Sequence, residues 1–367
     1  MRRVLFWMHL GAGVLAGILI LFFSITGSFI AYERPILRAA DKHYYRTASI
    51  SPDAARIPLA TLIATTESSA HSSVESVTVH PEAASPVEVQ MATRDIYFAD
   101  PWSGSVQGPV SPRLRTFFTK MTAVHRWFGL GNASHATATA VKGVVMLLFL
   151  FLVLSGAVLW IPGRWNRHTV RTGIVPRFDT HGRARNYNWH KVTGFWLFLP
   201  LATIVVTGIV MAYPWANALL FRLAGSPLPV RNTPRENARH HATVVPDHLD
   251  EAFARAVNGV DGWQSATFRL GQNHGDLSIT VDRGDGGQPE KRDQVFIDPA
   301  TQQVTRRVPF TAQSRGQQWR AWVRFVHTGE AGGLWGETIA MLTALGAALL
   351  SVTGFLLFFA RLRRLRA

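Results

Sequence analysis

Six residues recur at a constant offset of 181: His9, Gly13, Thr26, Gly27, Ala31 and Tyr32 match His190, Gly194, Thr207, Gly208, Ala212 and Tyr213. Both sets lie along apolar stretches, where an ionisable side chain is costly and its recurrence in register points to a shared task. One imidazole from each of two facing helices is a donor set for a metal or for the iron of a haem. A second pair, His125 in Val124-His-Arg-Trp-Phe-Gly and His327 in Val326-His-Thr-Gly-Glu, stands just ahead of two further apolar stretches. Its spacing is less regular. Ser155-Gly156 follows His125 by 30 residues and Thr353-Gly354 follows His327 by 26, a difference of one helical turn or a longer loop.

The chain has 14 histidines, and most sit in loops where a solvated side chain is the default: His43, His71, His80, His168, His181, His240, His241, His248 and His274. His135, near the start of the second apolar stretch, is the reserve ligand, while Met8, Met146 and Met211 read as packing residues. Zinc needs three or four protein ligands in a compact site, and neither His9 nor His190 has a carboxylate or second histidine at helical spacing. A haem with two axial histidines needs only one from each of two helices. Gly11, Gly13 and Gly194 would leave room for a flat macrocycle, and would equally permit plain close packing of helices. The absence of cysteine removes disulfides, iron–sulfur clusters, thiolate ligands and covalent haem attachment. The residues alone leave three readings: two haems, one haem or metal, or structural and proton-handling histidines.

The elements that carry these residues follow from hydropathy. Residues 5–31, 143–161, 192–221 and 338–360 contain no Asp, Glu, Lys or Arg, and each can cross ~30 Å of hydrocarbon. Four transmembrane helices are predicted. The first is too long for a signal sequence and no Ala-x-Ala-type site follows it, so it is expected to remain as an anchor. The connection after the second span carries Arg164, Arg167, Arg171, Arg177, Arg183, Arg185 and Lys191 against the single acid Asp179, and the C-terminus adds Arg361, Arg363, Arg364 and Arg366. The positive-inside rule then places both termini and this connection in the cytoplasm, and the two long loops in the periplasm of a bacterium. The same clusters account for the net charge of +15 without nucleic acid.

Each long loop reads as a helix followed by alternating strands. Residues 57–63 and 246–257 have helical patterning; 76–79, 87–91, 266–270 and 277–281 alternate with period two. A turn ties the loops together, Asp100-Pro-Trp-Ser in one and Asp298-Pro-Ala-Thr in the other, with Gln302 in the second where the first has Gly104. The predicted fold is an α-helical membrane protein of two tandem repeats with two periplasmic α+β domains. Its parts are helix 1 (1–32), outer domain 1 (33–120), an interfacial segment with helix 2 (121–163), a cytoplasmic connection (164–189), helix 3 (190–221), outer domain 2 (222–322), and an interfacial segment with helix 4 and a basic tail (323–367).

The ordered set of a His–Gly span ending in Thr-Gly and Tyr, the Asp-Pro-x-Ser/Thr turns, His125-Arg126, Ser155-Gly156, and His327-Thr328-Gly329-Glu330 resembles the PepSY-associated transmembrane proteins over nearly the full length. That family includes inner-membrane reductases coupled to ferric-siderophore uptake. The resemblance implies PepSY-like outer domains and two noncovalent b-type haems, with His9 and His190 ligating the cytoplasmic-side haem and His125 and His327 the periplasmic-side one. It also implies reduction of a ferric siderophore or other ferric chelate. Arg126 and Arg324, and less so Arg2 and Arg3, are placed to pair with haem propionates. No dinucleotide-binding fingerprint or flavin domain faces the cytoplasm, so the electron donor would be a quinol, another protein or a diffusible reductant. The rival readings are a quinol-oxidising b-type cytochrome, a haem-free PepSY membrane protein that binds peptides or regulates proteases, and a transporter built from duplicated halves.

Overall fold

The computed structural model describes residues 1–45, 55–229, 248–270, 277–298 and 300–366. In chain order the helices are α1 (Arg2–Ala31), α2 (Glu33–Asp41), α3 (Leu59–Ala70), α4 (Pro112–Trp127), α5 (His135–Trp160), α6 (Arg167–Ile174), α7 (Gly182–Trp196), α8 (Phe198–Ala212), α9 (Pro214–Leu223), α10 (Leu249–Val257), α11 (Arg315–Thr328) and α12 (Gly333–Arg366). The strands are β1 (Val74–Val79), β2 (Val87–Met91), β3 (Ile96–Ala99), β4 (Val106–Gln107), β5 (Ser265–Arg269), β6 (Leu277–Asp282), β7 (Arg292–Ile297) and β8 (Val304–Pro309). They divide into a helical unit, residues 1–33, 117–220 and 322–367, and a sheet unit, residues 34–116 and 221–321.

In the helical unit α1, α5 and α12 are each long and apolar enough to cross a membrane, and α7 with α8 makes a fourth span only if the bent pair is counted as one. The bend is 66°. The predicted third span, residues 192–221, is thus not one rod but parts of three helices. Proline explains both breaks. Pro200 has no N–H to reach back into the preceding turn, and Pro214 ends α8 and opens α9 at the helix position where proline is tolerated. Leu15, Ile18, Val144, Leu199 and Trp335 are strongly exposed, as befits surfaces solvated by lipid rather than water.

α1 packs along α12 and α5, α7 along α12, and α5 against α8. Close approach is made possible by glycine opposite bulky side chains: Phe355 lies over Gly17, and Leu197 over Gly346. The in-register tyrosines each reach into the other repeat. The Tyr32 hydroxyl hydrogen-bonds Thr338 of α12 at 2.9 Å, and the Tyr213 phenol lies against Gly143 of α5.

The two long segments do not form two separate sheets. Their strands join in a single eight-stranded antiparallel sheet of order β4-β3-β2-β1-β5-β6-β7-β8. At its centre β1 pairs with β5, Val77 opposite Phe268 and Thr78 opposite Thr267, and the two threonine hydroxyls bond at 2.9 Å. Either four-stranded half alone would expose an apolar edge strand; pairing β1 with β5 satisfies both edges. α3 and α10 cover the same face, with Leu59, Leu62 and Ile63 of α3 and Leu249, Ala252 and Phe253 of α10 packed on Val77, Val89, Phe268 and Ile279. Asp250 of α10 accepts the Leu59 N–H at 2.9 Å, so one repeat caps the helix of the other.

The two Asp-Pro turns share one geometry. Asp100 accepts the N–H groups of Trp102 and Ser103, and Asp298 those of Ala300 and Thr301, which hold the Asp298 carboxyl below its ordinary range. Gly104 and Gln302 both adopt left-handed backbone, φ +72° and +58°. The missing glycine therefore leaves the turn unchanged.

Candidate functional site

His9 and His190 face one another in the helical unit, with ring centres 6.5 Å apart and planes near perpendicular. Each is held by a hydroxyl from another helix. His9 Nδ1 meets Ser155 Oγ of α5 at 2.8 Å, and His190 Nδ1 meets Thr353 Oγ1 of α12 at 2.9 Å.

The second pair is built the same way. His125 Nδ1 meets Thr26 Oγ1 of α1 at 2.8 Å, and His327 Nδ1 meets Thr207 Oγ1 of α8 at 3.1 Å and the Ile204 carbonyl at 2.9 Å. His125 lies within electrostatic reach of His327, and Phe23 packs edge-on against the His125 ring at 5.5 Å. In all four cases the residue after the hydroxyl is glycine. A β-carbon at Gly27, Gly156, Gly208 or Gly354 would come within 3.3, 3.4, 3.1 or 3.6 Å of Cε1 of His125, His9, His327 or His190 respectively. The four imidazoles thus occupy one repeated seat, a Ser/Thr-Gly step, and among the described residues no hydrogen bond engages their Nε2 atoms. Chemically this is two pairs of imidazoles, each with one nitrogen committed to the protein and the other open.

The uneven spacing in the second pair has a definite origin. Ser155 and Thr353 each stand twenty residues after the start of their helix, whereas the connections ahead of those helices are residues 128–134 and 329–332. The extra residues form a longer loop, not an added helical turn.

The other candidates have contacts of their own. His135 stacks on Trp127 at 4.3 Å. Arg126 lies over the Trp127 ring at 4.4 Å, and Arg324 over Phe325 at 4.9 Å with Glu330 at 3.5 Å. Arg2 donates to the carbonyls of Leu159 and Ile161. Met146 packs beside Val205 and Ile209, while Met8 and Met211 are exposed. Among the loop histidines, His43 lies tilted against Tyr44, His71 ends α3, His80 bonds the Gln264 carbonyl, His181 precedes α7, and His248 lies 3.8 Å from Glu251. His168 lies in α6, whereas His240, His241 and His274 fall outside the described residues.

Three features were not drawn from the sequence. Gly11 has open space opposite it, Gly13 only Leu152 and Gly194 only Leu350. The glycines against the rings are the four that follow Ser or Thr, and the recurrence of that dipeptide in all four apolar stretches was the available signal. Lys142, just ahead of the uncharged stretch, donates to the Arg126 carbonyl at 3.2 Å. The basic connection is also an ordered element: Trp160, Trp196 and Trp189 donate their indole N–H groups to the carbonyls of Gly173, Ile174 and Arg177. Asn188 bonds the Arg177 N–H and the Thr172 carbonyl, fastening α6 and the following loop to the helix that carries His190.

A family match covers residues 6–361 and is described as the PepSY-associated TM region. The chain belongs to this family of PepSY-associated membrane proteins. No individual curated protein matches it.

Proposed function

We propose that this chain is a di-haem b reductase of a bacterial inner membrane, carrying electrons from the cytoplasmic side to a ferric chelate, such as a ferric siderophore, in the periplasm. The observation that supports it most is the His9–His190 pair, 6.5 Å apart with each Nδ1 already engaged. Two imidazoles this close on facing helices, each with its Nδ1 already engaged, would be able to hold a haem iron between them, which would supply one-electron chemistry. The donor set, one imidazole from each of two helices, fits a haem.

In this reading His9 and His190 hold the cytoplasmic-side haem, and His125 and His327 the periplasmic-side one. When bound, the haems supply one-electron transfer across the apolar layer. The chain's own residues hold the ligands by their Nδ1 atoms between packed helices, and Arg126 and Lys142, which lie near His125, would suit haem carboxylates. The substrate gains one electron, Fe(III) becoming Fe(II), and hard oxygen ligands that bind Fe(III) tightly release Fe(II). The electron comes from a quinol, a partner protein or a diffusible reductant.

The visible absorption spectrum of the purified full-length protein tests this reading. A Soret band and a dithionite-dependent α-band, with two haems per chain, are expected. His9→Ala and His125→Ala should each lose a different haem, and a ferric chelate should reoxidise the reduced protein. A colourless protein would favour a haem-free PepSY protein, and reduced haems that a ferric chelate leaves unchanged would favour a quinol-oxidising cytochrome.

A further inference from the structure

We infer that Thr26, Ser155, Thr207 and Thr353 are positioning residues that fix the ring tautomer and rotation of the four histidines, and that they do so crosswise, α1 and α8 seating the His125–His327 pair and α5 and α12 the His9–His190 pair. The inference rests on the haem reading for what the histidines bind, and on geometry alone for what the hydroxyls do.

The proton count decides the tautomer. A hydroxyl has one proton, and here each faces the carbonyl four residues back: Thr26 to Phe22 at 2.9 Å, Ser155 to Phe151 at 2.6 Å, Thr207 to Thr203 at 2.6 Å and Thr353 to Leu349 at 2.7 Å. With that proton committed, the oxygen can only accept from the ring. A second acceptor points the same way at one seat: His327 Nδ1 lies 2.9 Å from the Ile204 carbonyl, which cannot donate. Nδ1 therefore carries the hydrogen and Nε2 keeps a lone pair, the form that binds a metal. Hydrogen bonds to the second ring nitrogen are the usual means of orienting a ligating histidine. The glycine that follows each hydroxyl leaves space for the edge of the ring beside the helix.

The crossing follows from which helix carries what. α1 bears His9 of one pair and Thr26, the seat of His125 in the other; Ser155 of α5, the helix that follows His125, seats His9. α7 bears His190 while α8 bears Thr207, the seat of His327, and α12, which follows His327, returns Thr353 to His190. Each repeat is a reciprocal exchange, so neither site can be built from one span.

The test is a set of near-isosteric variants in the full-length protein: Thr26→Val, Ser155→Ala and the conservative Thr26→Ser. Thr26→Val is expected to weaken retention of the His125–His327 haem by about 10- to 100-fold and shift its low-spin resonance signature, leaving the His9–His190 haem unchanged although Thr26 shares a helix with His9. Ser155→Ala should do the reverse, and Thr26→Ser should restore the parent spectrum. Effects of Thr26→Val confined to the His9–His190 haem, effects of Ser155→Ala confined to the His125–His327 haem, or no effect on either haem would overturn the crossed seats. Nitrogen NMR of ring-labelled histidine in haem-free, full-length parent protein supplies a readout independent of both folding of the variants and haem. All four rings should be protonated at Nδ1; rings protonated at Nε2 would overturn the inference. Nδ1-protonated rings in a protein that takes up no haem would sink the haem reading and leave the seats standing.

Discussion

Gly208 lies directly against His327: a β-carbon there would sit 3.1 Å from the ring's Cε1, and 2.2 Å from the terminal methyl of Met146. Met146 is flexible and can swing away, but His327 is tied to Thr207 and Ile204 and cannot do so without losing those bonds. Gly354 makes the equivalent approach to His190 at 3.6 Å, an ordinary contact. Gly208→Ala is therefore expected to displace its histidine and lower occupancy of the His125–His327 site, with Gly354→Ala nearly silent. Haem content and spectra of the two variants check this; equal damage from both would mean that the glycines serve helix packing and not the rings.

These four glycines also mark the limit of what the sequence made legible. The offset of 181 and the helix and strand positions in the loops were readable because apolar periodicity is a local property. The seats were not, because Ser155 is 146 residues from His9 and Thr26 is 99 from His125. The dipeptide served only as a register mark. Joining of the two predicted outer domains was likewise hidden, since β1 and β5 each look like ordinary strands and only their unpaired edges demand a partner. Pro200 was visible, but an uncharged run gives no signal that proline will break it into a pair bent by 66°.

Tyr45 gives the sheet unit a predicted alkaline limit. Tyr45 keeps 36% of its surface exposed, and partial burial, then the Glu88 and Asp41 carboxylates, push its phenol up to about 12, against the opposing pull of Arg115 and Arg38. A group that holds its proton more tightly when folded contributes stability below its unfolded value, about 10 for tyrosine, and loses it as pH rises towards the folded value. The unfolding midpoint of the full-length protein should therefore fall between pH 10 and about 12, and Tyr45→Phe should flatten that fall. Glu88→Gln should bring the latest phenol transition in an ultraviolet titration to lower pH. An unchanged alkaline fall in Tyr45→Phe would assign it to other groups.

Asp41 is buried at the end of α2 and depends on two partners: the Ser111 hydroxyl donates to it at 2.6 Å and Arg115 pairs with its other oxygen. Removing the cation alone strands a buried charge, a change that typically costs 3–5 kcal/mol. Arg115→Met should therefore destabilise the sheet unit by about that amount, while Asp41→Asn combined with Arg115→Met should recover much of the loss because no charge remains to be desolvated. A double-mutant cycle read by denaturant unfolding decides the matter. Additive losses would show that the two residues act separately.

Gln302 offers a gain where the other substitutions give losses. It holds φ +58° at the turn where the equivalent Gly104 holds +72°, and left-handed backbone costs a residue with a β-carbon about 1–2 kcal/mol. Glycine relieves that strain but has more freedom to lose on folding, which offsets part of the gain. Gln302→Gly should therefore stabilise by up to about 1 kcal/mol. Gly104→Ala should destabilise, since it adds the same strain and brings a methyl within 3.0 Å of Ile57. Thermal melts of the two variants should move in opposite directions from the parent. A lower midpoint for Gln302→Gly would show that the side chain holds the turn, and that the second repeat has replaced the glycine with contacts of its own.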